Sequence, residues 1–147
     1  MLSDSVVRER STFVEAELHN TGLYNLDGKG AYPADNTGVF AITAVPADMG
    51  RFRAPTLRNI ALTAPYMHDG SVATLEDALD HYAAGGRTIA VGPDAGDGSK
   101  SPLKSELING FTLSPEEKGD VVEFLKSLTD EELLNDPVLS DPWLQAP

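Results

Sequence analysis

A mostly helical, loop-rich single domain is what this sequence predicts, and three observations lead there. The chain has 147 residues of which 41% are apolar, enough for one core of ordinary size. Its 13 glycines and 10 prolines commit much of the backbone to turns and extended connections rather than to long regular elements. Two stretches, beginning at Thr74 and Ser114, combine N-terminal capping residues with apolar positions at helical spacing.

In chain order, residues 1 to 50 hold few periodic apolar positions and many turn formers, as in HNTGLYNLDGKGAYPADNTG. Leu23, Tyr24, Leu26, Tyr32, Val39 and Phe40 nevertheless recur too often for a segment that buries nothing, so the stretch is expected to be ordered but irregular. In RFRAPTLRNIALTAPYMHDG, Pro55 sits where a short helix can begin, and Pro65 and Gly70 stop any continuation. Thr74 then offers an N-cap with Asp77 three residues on, a variant of the capping box. Leu75, Ala78, Leu79 and Tyr82 follow on one helical face, and Gly85 and Gly86 end the helix.

From Arg87 to Asn109 the chain is polar and glycine-rich, with PDAGDGSKSP as an exposed loop. The last clear helix runs from Pro115 to Leu128. Ser114 caps it, Pro115 takes the first position and Glu117 closes a capping box. Val121, Val122, Phe124, Leu125 and Leu128 form its apolar face. A short acidic helix over Asp130 to Leu134 and an extended tail through Trp143 complete the chain, which has no internal repeat.

Charge and composition narrow the function. Twenty-three acidic residues against eleven basic ones give a net charge of −12, which opposes binding to nucleic-acid phosphates or anionic lipid. An acidic surface suits a protein that meets basic patches on a redox partner, although solubility alone is the simpler account. With no cysteine, the chain can form no disulfide, thiolate metal site, cysteine nucleophile or thioether link to haem. MLSDSVVRERSTF carries no export signal, and no segment is long and apolar enough to span a membrane.

Residues 52 to 86, FRAPTLRNIALTAPYMHDGSVATLEDALDHYAAGG, carry the chemical signal. The runs PTLRN, LTAPY, HDG and ATLE, in that order and spacing, resemble the C-terminal domain of bacterial di-haem cytochrome c peroxidases and MauG-like enzymes. The resemblance extends in less detail over HNTGLYNLDGKGAY upstream and GFTLSPEEKGDVVEFLKSLT downstream, and so covers nearly the whole chain. It implies a mainly α, loop-rich cytochrome c-like haem domain over residues 1 to 147. Members of the family open this domain with a Cys-x-x-Cys-His haem-attachment motif, followed by a segment that looks like SDSVVRERSTF. Met1 falls a few residues past that motif, so the chain is expected to be a fragment of a longer parent.

The resemblance also nominates site residues. Tyr82 follows His68 by fourteen residues, the offset at which the family places an axial ligand of its second haem. That ligand is methionine in ordinary cytochrome c peroxidases and tyrosine in MauG, so Tyr82 points to the MauG-like branch. A phenolate is a hard anionic ligand that stabilises ferric iron and lowers the potential relative to a thioether. Without the motif, a tyrosine on the apolar face of a short helix would be read as core. His68 is placed near the haem, in a role left open, and a loop histidine before Asp-Gly is also an ordinary turn residue. Met67 is expected to pack, and His19 and His81 have no motif support as ligands. Arg53 looks like the family residue that faces the haem edge, where a guanidinium can pair with a propionate. For Arg53 and Arg58 alike, a surface ion pair is the alternative. The backbone carbonyls of Thr63 and Pro65 correspond to ligands of a structural calcium (Ca2+), a hard cation that takes oxygen donors.

In function the resemblance implies part of a periplasmic, peroxide-dependent oxidoreductase. Hydrogen peroxide would react at a haem c in the parent's N-terminal domain, and the present domain would hold the tyrosine-ligated electron-transfer haem. The substrate would be a side chain of a partner protein, with tryptophan the leading candidate and a copper-binding protein a candidate partner. No catalytic residue is assigned within the chain, and the isolated fragment is expected to be inactive. The rival is a haem-free, acidic module that acts only by docking.

Overall fold

A computed structural model describes residues 7–9, 12–14, 18–136 and 138, and the extended tail expected through Trp143 lies outside them. The two best-capped segments of the sequence form the two longest helices. In α3 (Pro115–Ser127) the Ser114 Oγ accepts from the Glu117 N–H at 3.2 Å, and the Glu117 carboxylate accepts from the Ser114 N–H at 2.8 Å. Two of the orphan donors at the helix start are satisfied reciprocally, and Pro115 has none to satisfy. In α2 (Leu75–Ala83) the Thr74 hydroxyl oxygen accepts from the Asp77 N–H at 3.1 Å. Its end is closed by N–H groups of Gly85 and Gly86 donating to the carbonyls of Tyr82 and His81, with Gly85 at φ 72°. Glycine reaches that left-handed conformation without steric penalty.

Two four-residue helices, α1 (Phe40–Thr43) and α4 (Glu131–Leu134), complete the α-helices among the described residues. The strands are three short antiparallel ribbons. β1 (Val7–Glu9) pairs with β2 (Thr12–Val14), β3 (Leu18–His19) with β4 (Phe52–Arg53), and β5 (Thr88–Ile89) with β6 (Gly96–Asp97). The rest is turns and single 3-10 turns, so the architecture is the helical, loop-rich one expected.

One local expectation fails. Pro55 starts no helix; the chain stays irregular until a 3-10 turn at Ile60–Leu62, preceded by Asn59 at φ 59°. Tertiary bonds hold Asn59 there: its N–H donates to the Leu128 carbonyl at 3.1 Å, and its side-chain oxygen accepts from the Asp130 N–H at 2.6 Å. The loop is thereby tied to the end of α3. Phe124 also departs from expectation, since it is 58% exposed rather than part of the packed face of α3.

The core has two centres. Leu75 of α2 and Val122 and Leu125 of α3 are buried together, with Ile60, Ala61, Tyr66 and Leu79 against them. The second centre, Leu23, Tyr24 and Tyr32, comes from the irregular N-terminal stretch, with Phe52, Met67 and Ile89 packed on it. Leu23 is fully buried, which contributes about 1.5–3 kcal/mol. Asn20, also fully buried, organises this centre: its side-chain oxygen accepts from the Gly22 N–H and the Tyr32 hydroxyl, both at 2.9 Å, and its amide donates to the Met49 carbonyl at 2.9 Å. These bonds replace the regular secondary structure that the segment lacks.

Candidate functional site

The site-bearing residues lie on α2 and on the loop that precedes it. Tyr82 occupies the last turn of α2 and is half-buried. Burial raises its phenol pKa above 10.0, and its hydroxyl has no hydrogen-bond partner among the described residues. The neighbouring His81 stands edge-on to it, ring centroids 5.3 Å apart. His81 itself is buried, with Nε2 2.9 Å from the Thr21 carbonyl. A carbonyl can only accept, so Nε2 carries the proton. That leaves Nδ1 as a buried lone pair with no partner among the described residues. Burial lowers the His81 pKa accordingly.

The HDG loop turns at Met67, whose φ of 67° is left-handed and whose side chain packs on the Tyr24–Tyr32 centre. Met67 thus packs, as the sequence led us to expect. The His68 ring stacks on Phe52 of β4, with centroids 3.6 Å apart and planes 12° from parallel, and lies 6.2 Å from the Tyr32 ring. Desolvation lowers its pKa, with Asp69 opposing. Asp69 accepts from the Tyr24 hydroxyl at 2.7 Å and from the Ser71 N–H at 3.0 Å. Burial pushes the Asp69 carboxyl up, but those hydrogen bonds outweigh it and the net shift is downward.

Arg87 completes this corner and had no signature in the sequence. Its guanidinium lies 4.6 Å over the Tyr24 ring, donates to the Ser71 hydroxyl at 2.6 Å and approaches Asp69 at 3.7 Å. It also donates to the Leu23 carbonyl at 3.3 Å. The only local hint is its place directly after the Gly85–Gly86 turn.

Arg53 follows Phe52 in β4, next in sequence to the ring on which His68 stacks. Arg53 and Arg58 are exposed, and neither forms an ion pair among the described residues. Thr63 ends the 3-10 turn at Ile60–Leu62, its hydroxyl donating to the Ile60 carbonyl at 3.1 Å. The Ala64–Pro65 peptide is cis. The carbonyls of Thr63 and Pro65 accept no backbone hydrogen bond among the described residues, and both residues are exposed. Among those residues no group of three or more His, Cys, Asp or Glu is placed to hold a metal ion.

These residues fit a haem in two respects. Tyr82 offers an oxygen donor that no other described residue engages. Apolar side chains also stand exposed at Leu57, Leu62 and Phe111, the last held to the end of α2 by its N–H donating to the Ala83 carbonyl at 3.0 Å. A flat apolar macrocycle needs such a surface. In a third respect they do not suffice, because a chain without cysteine cannot supply thioether bonds. No helix among the described residues is long and apolar enough to cross a membrane.

No protein-family model matches the chain. It is, however, 36% identical over 112 residues to the cytochrome-c peroxidase IdrP1 of Pseudomonas sp. (strain SCT), covering 75% of this chain and 26% of that protein. It is 33% identical over 141 residues to the methylamine utilization protein MauG of Paracoccus denitrificans, covering 84% of this chain and 36% of MauG. The chain thus spans about a quarter to a third of the length of these relatives. A solved structure, that of a MauG-like protein associated with microbial copper homeostasis, superposes with a TM-score of 0.84 at 62% identity, covering 89% of this chain and 39% of that one. The motif order read from residues 52 to 86, the loop-rich helical fold and this superposition agree, and the chain belongs to the family of cytochrome-c peroxidases and MauG-like proteins.

Proposed function

We infer that this chain is the second-haem portion of a peroxide-dependent di-haem oxidoreductase of the MauG-like branch, and that Tyr82 is the axial ligand of that haem. The observation that carries the reading is the Tyr82 hydroxyl: half-buried on the last turn of α2, raised in pKa by desolvation and without a hydrogen-bond partner among the described residues. That oxygen, on a residue partly open to solvent, is left for something outside the described residues to engage. A metal cation does so and, by its charge, drives off the phenol proton.

When bound, haem c supplies one-electron redox chemistry that no side chain here provides. The chain's own residues position it. Tyr82 would give a hard anionic donor that favours ferric iron, Leu57, Leu62 and Phe111 would offer apolar surface, and Arg53 and His68 would offer cationic and hydrogen-bonding contacts to its acidic edge. Thr63 and Pro65 present carbonyls suited to a calcium ion whose other ligands lie outside this chain. The parent would be periplasmic, with an N-terminal haem domain that reacts with hydrogen peroxide. Its oxidising equivalents would pass to a partner protein, a tryptophan of a copper-binding protein being the substrate best matched to the copper-associated relative.

The test is Tyr82→Phe in the full-length parent, followed by low-temperature EPR. Removing one oxygen leaves packing nearly unchanged, so the low-spin signal of the second haem should give way to a high-spin or water-ligated one. An unchanged low-spin signal would return Tyr82 to the core and refute tyrosine ligation of the second haem. A full-length protein that holds no haem would favour the acidic docking module instead.

A further inference from the structure

We propose that Tyr24 is a redox-active tyrosine, losing one electron to an oxidant while passing its hydroxyl proton to Asp69. The chain has four tyrosines, and their hydrogen-bond partners separate them. Tyr32 donates to the amide oxygen of Asn20 at 2.9 Å and Tyr66 to the backbone carbonyl of Ile60 at 3.0 Å. Neither acceptor can keep a proton. The Tyr82 hydroxyl has no partner among the described residues. Tyr24 donates to a carboxylate oxygen, Asp69 Oδ2, at 2.7 Å, and it is buried at 8% exposure.

That difference matters because a phenol that has lost an electron is a strong acid, and its proton leaves most readily to a base already within hydrogen-bond reach. Oxidation is therefore easy only where a base already touches the oxygen. In Tyr24 the O–H bond breaks, the proton moves along the existing hydrogen bond to Asp69 Oδ2, and the electron leaves to the oxidant. The products are a neutral phenoxyl, a neutral carboxylic acid and an oxidant reduced by one electron. Arg87 shapes the outcome: its guanidinium lies over the Tyr24 ring and disfavours a positive charge there, so electron loss without proton transfer is suppressed. Its contact to Asp69, 3.7 Å and partly exposed, is a weak pair to give up when the carboxyl is protonated. His68 is the other titratable group beside Asp69. Tyr24 stands edge-on to Tyr32 at 5.4 Å, and Tyr32 is 6.2 Å from the exposed His68 ring, so the site lies within a packed aromatic group that reaches the surface.

In the working protein the oxidant would be an oxidised haem iron of the parent, and that part rests on the function inferred above. The oxidisability of Tyr24 does not, and it is tested without haem. Tris(bipyridine)ruthenium(III), a one-electron outer-sphere oxidant generated by flash and quench, is applied to the 147-residue chain, and the product is frozen for EPR. A tyrosyl signal is expected in the unaltered chain and in Tyr66→Phe, and its loss in Tyr24→Phe. Asp69→Asn, which keeps the shape but removes the base, should lose it as well. Should Tyr24→Phe not fold, pulsed ENDOR on the unaltered chain after exchange into deuterium oxide decides: an exchangeable deuteron hydrogen-bonded to the radical oxygen supports the proposal. A radical that persists in Tyr24→Phe, or one with no such deuteron, overturns it. Loss of the tyrosyl signal in Tyr24→Phe combined with an unchanged haem signal in Tyr82→Phe would leave this proposal standing and the haem assignment refuted.

Discussion

The imidazole of His81 donates from Nε2 to the carbonyl of Thr21, 60 residues earlier, and so fastens the helix that bears Tyr82 to the N-terminal stretch. Nδ1 remains a buried lone pair, and the ring is neutral in the fold. In the unfolded chain it takes up a proton near 6.5. Below that pH the unfolded state binds more protons than the native one, and stability falls until the pH drops beneath the lowered native pKa, where the loss stops. His68, also lowered, acts with the same sign. The lowered carboxyls of Asp27, Asp69 and Asp97, whose unfolded value is 3.8, lose their contribution only at more acid pH. The window just below 6.5 therefore belongs to the histidines. His81→Gln keeps a donor for Thr21 and removes the titration. Urea unfolding at pH 7 and pH 5.5 should show a shallower acid-side loss in that variant, by at most about 1.4 kcal/mol per pH unit. An equal loss in both proteins would contradict the assignment.

Tyr32→Phe should be costly for a reason other than packing. The Tyr32 oxygen accepts from the Leu23 N–H at 3.2 Å while its hydroxyl donates to Asn20, both in the fully buried centre. Phenylalanine leaves the Leu23 N–H without an acceptor, at a cost of about 1–3 kcal/mol. Tyr66→Phe gives up a single part-buried bond and should cost about 0.5–1.5 kcal/mol. Denaturation midpoints of the two variants, compared at equal slope, check the order.

A chain without cysteine forms no thioether bond, whatever else its surface can bind. After acid extraction, the purified 147-residue chain should give no pyridine haemochrome spectrum of the c type. Restoring the preceding part of the parent, with its attachment motif, should give one. A covalently held haem in the chain as it stands would refute the reading of Cys-x-x-Cys-His as a requirement supplied from outside it.

By itself the sequence determined what is written locally. The caps at Thr74 and Ser114 act on N–H groups three residues away, and the Gly85–Gly86 stop acts on carbonyls three to five residues back, so both helices were legible from short windows. The family was legible for a related reason: PTLRN, LTAPY, HDG and ATLE all fall within residues 55–76. Tertiary structure alone decided the rest. Asn59 blocked the helix expected at Pro55 through a bond to Asp130, 71 residues on. Arg87 reached Leu23 across 64 residues, and Tyr24 found Asp69 across 45. Such pairs carry no periodicity, because a hydrogen bond between distant segments depends on where the folded loops cross and not on the residues beside either partner.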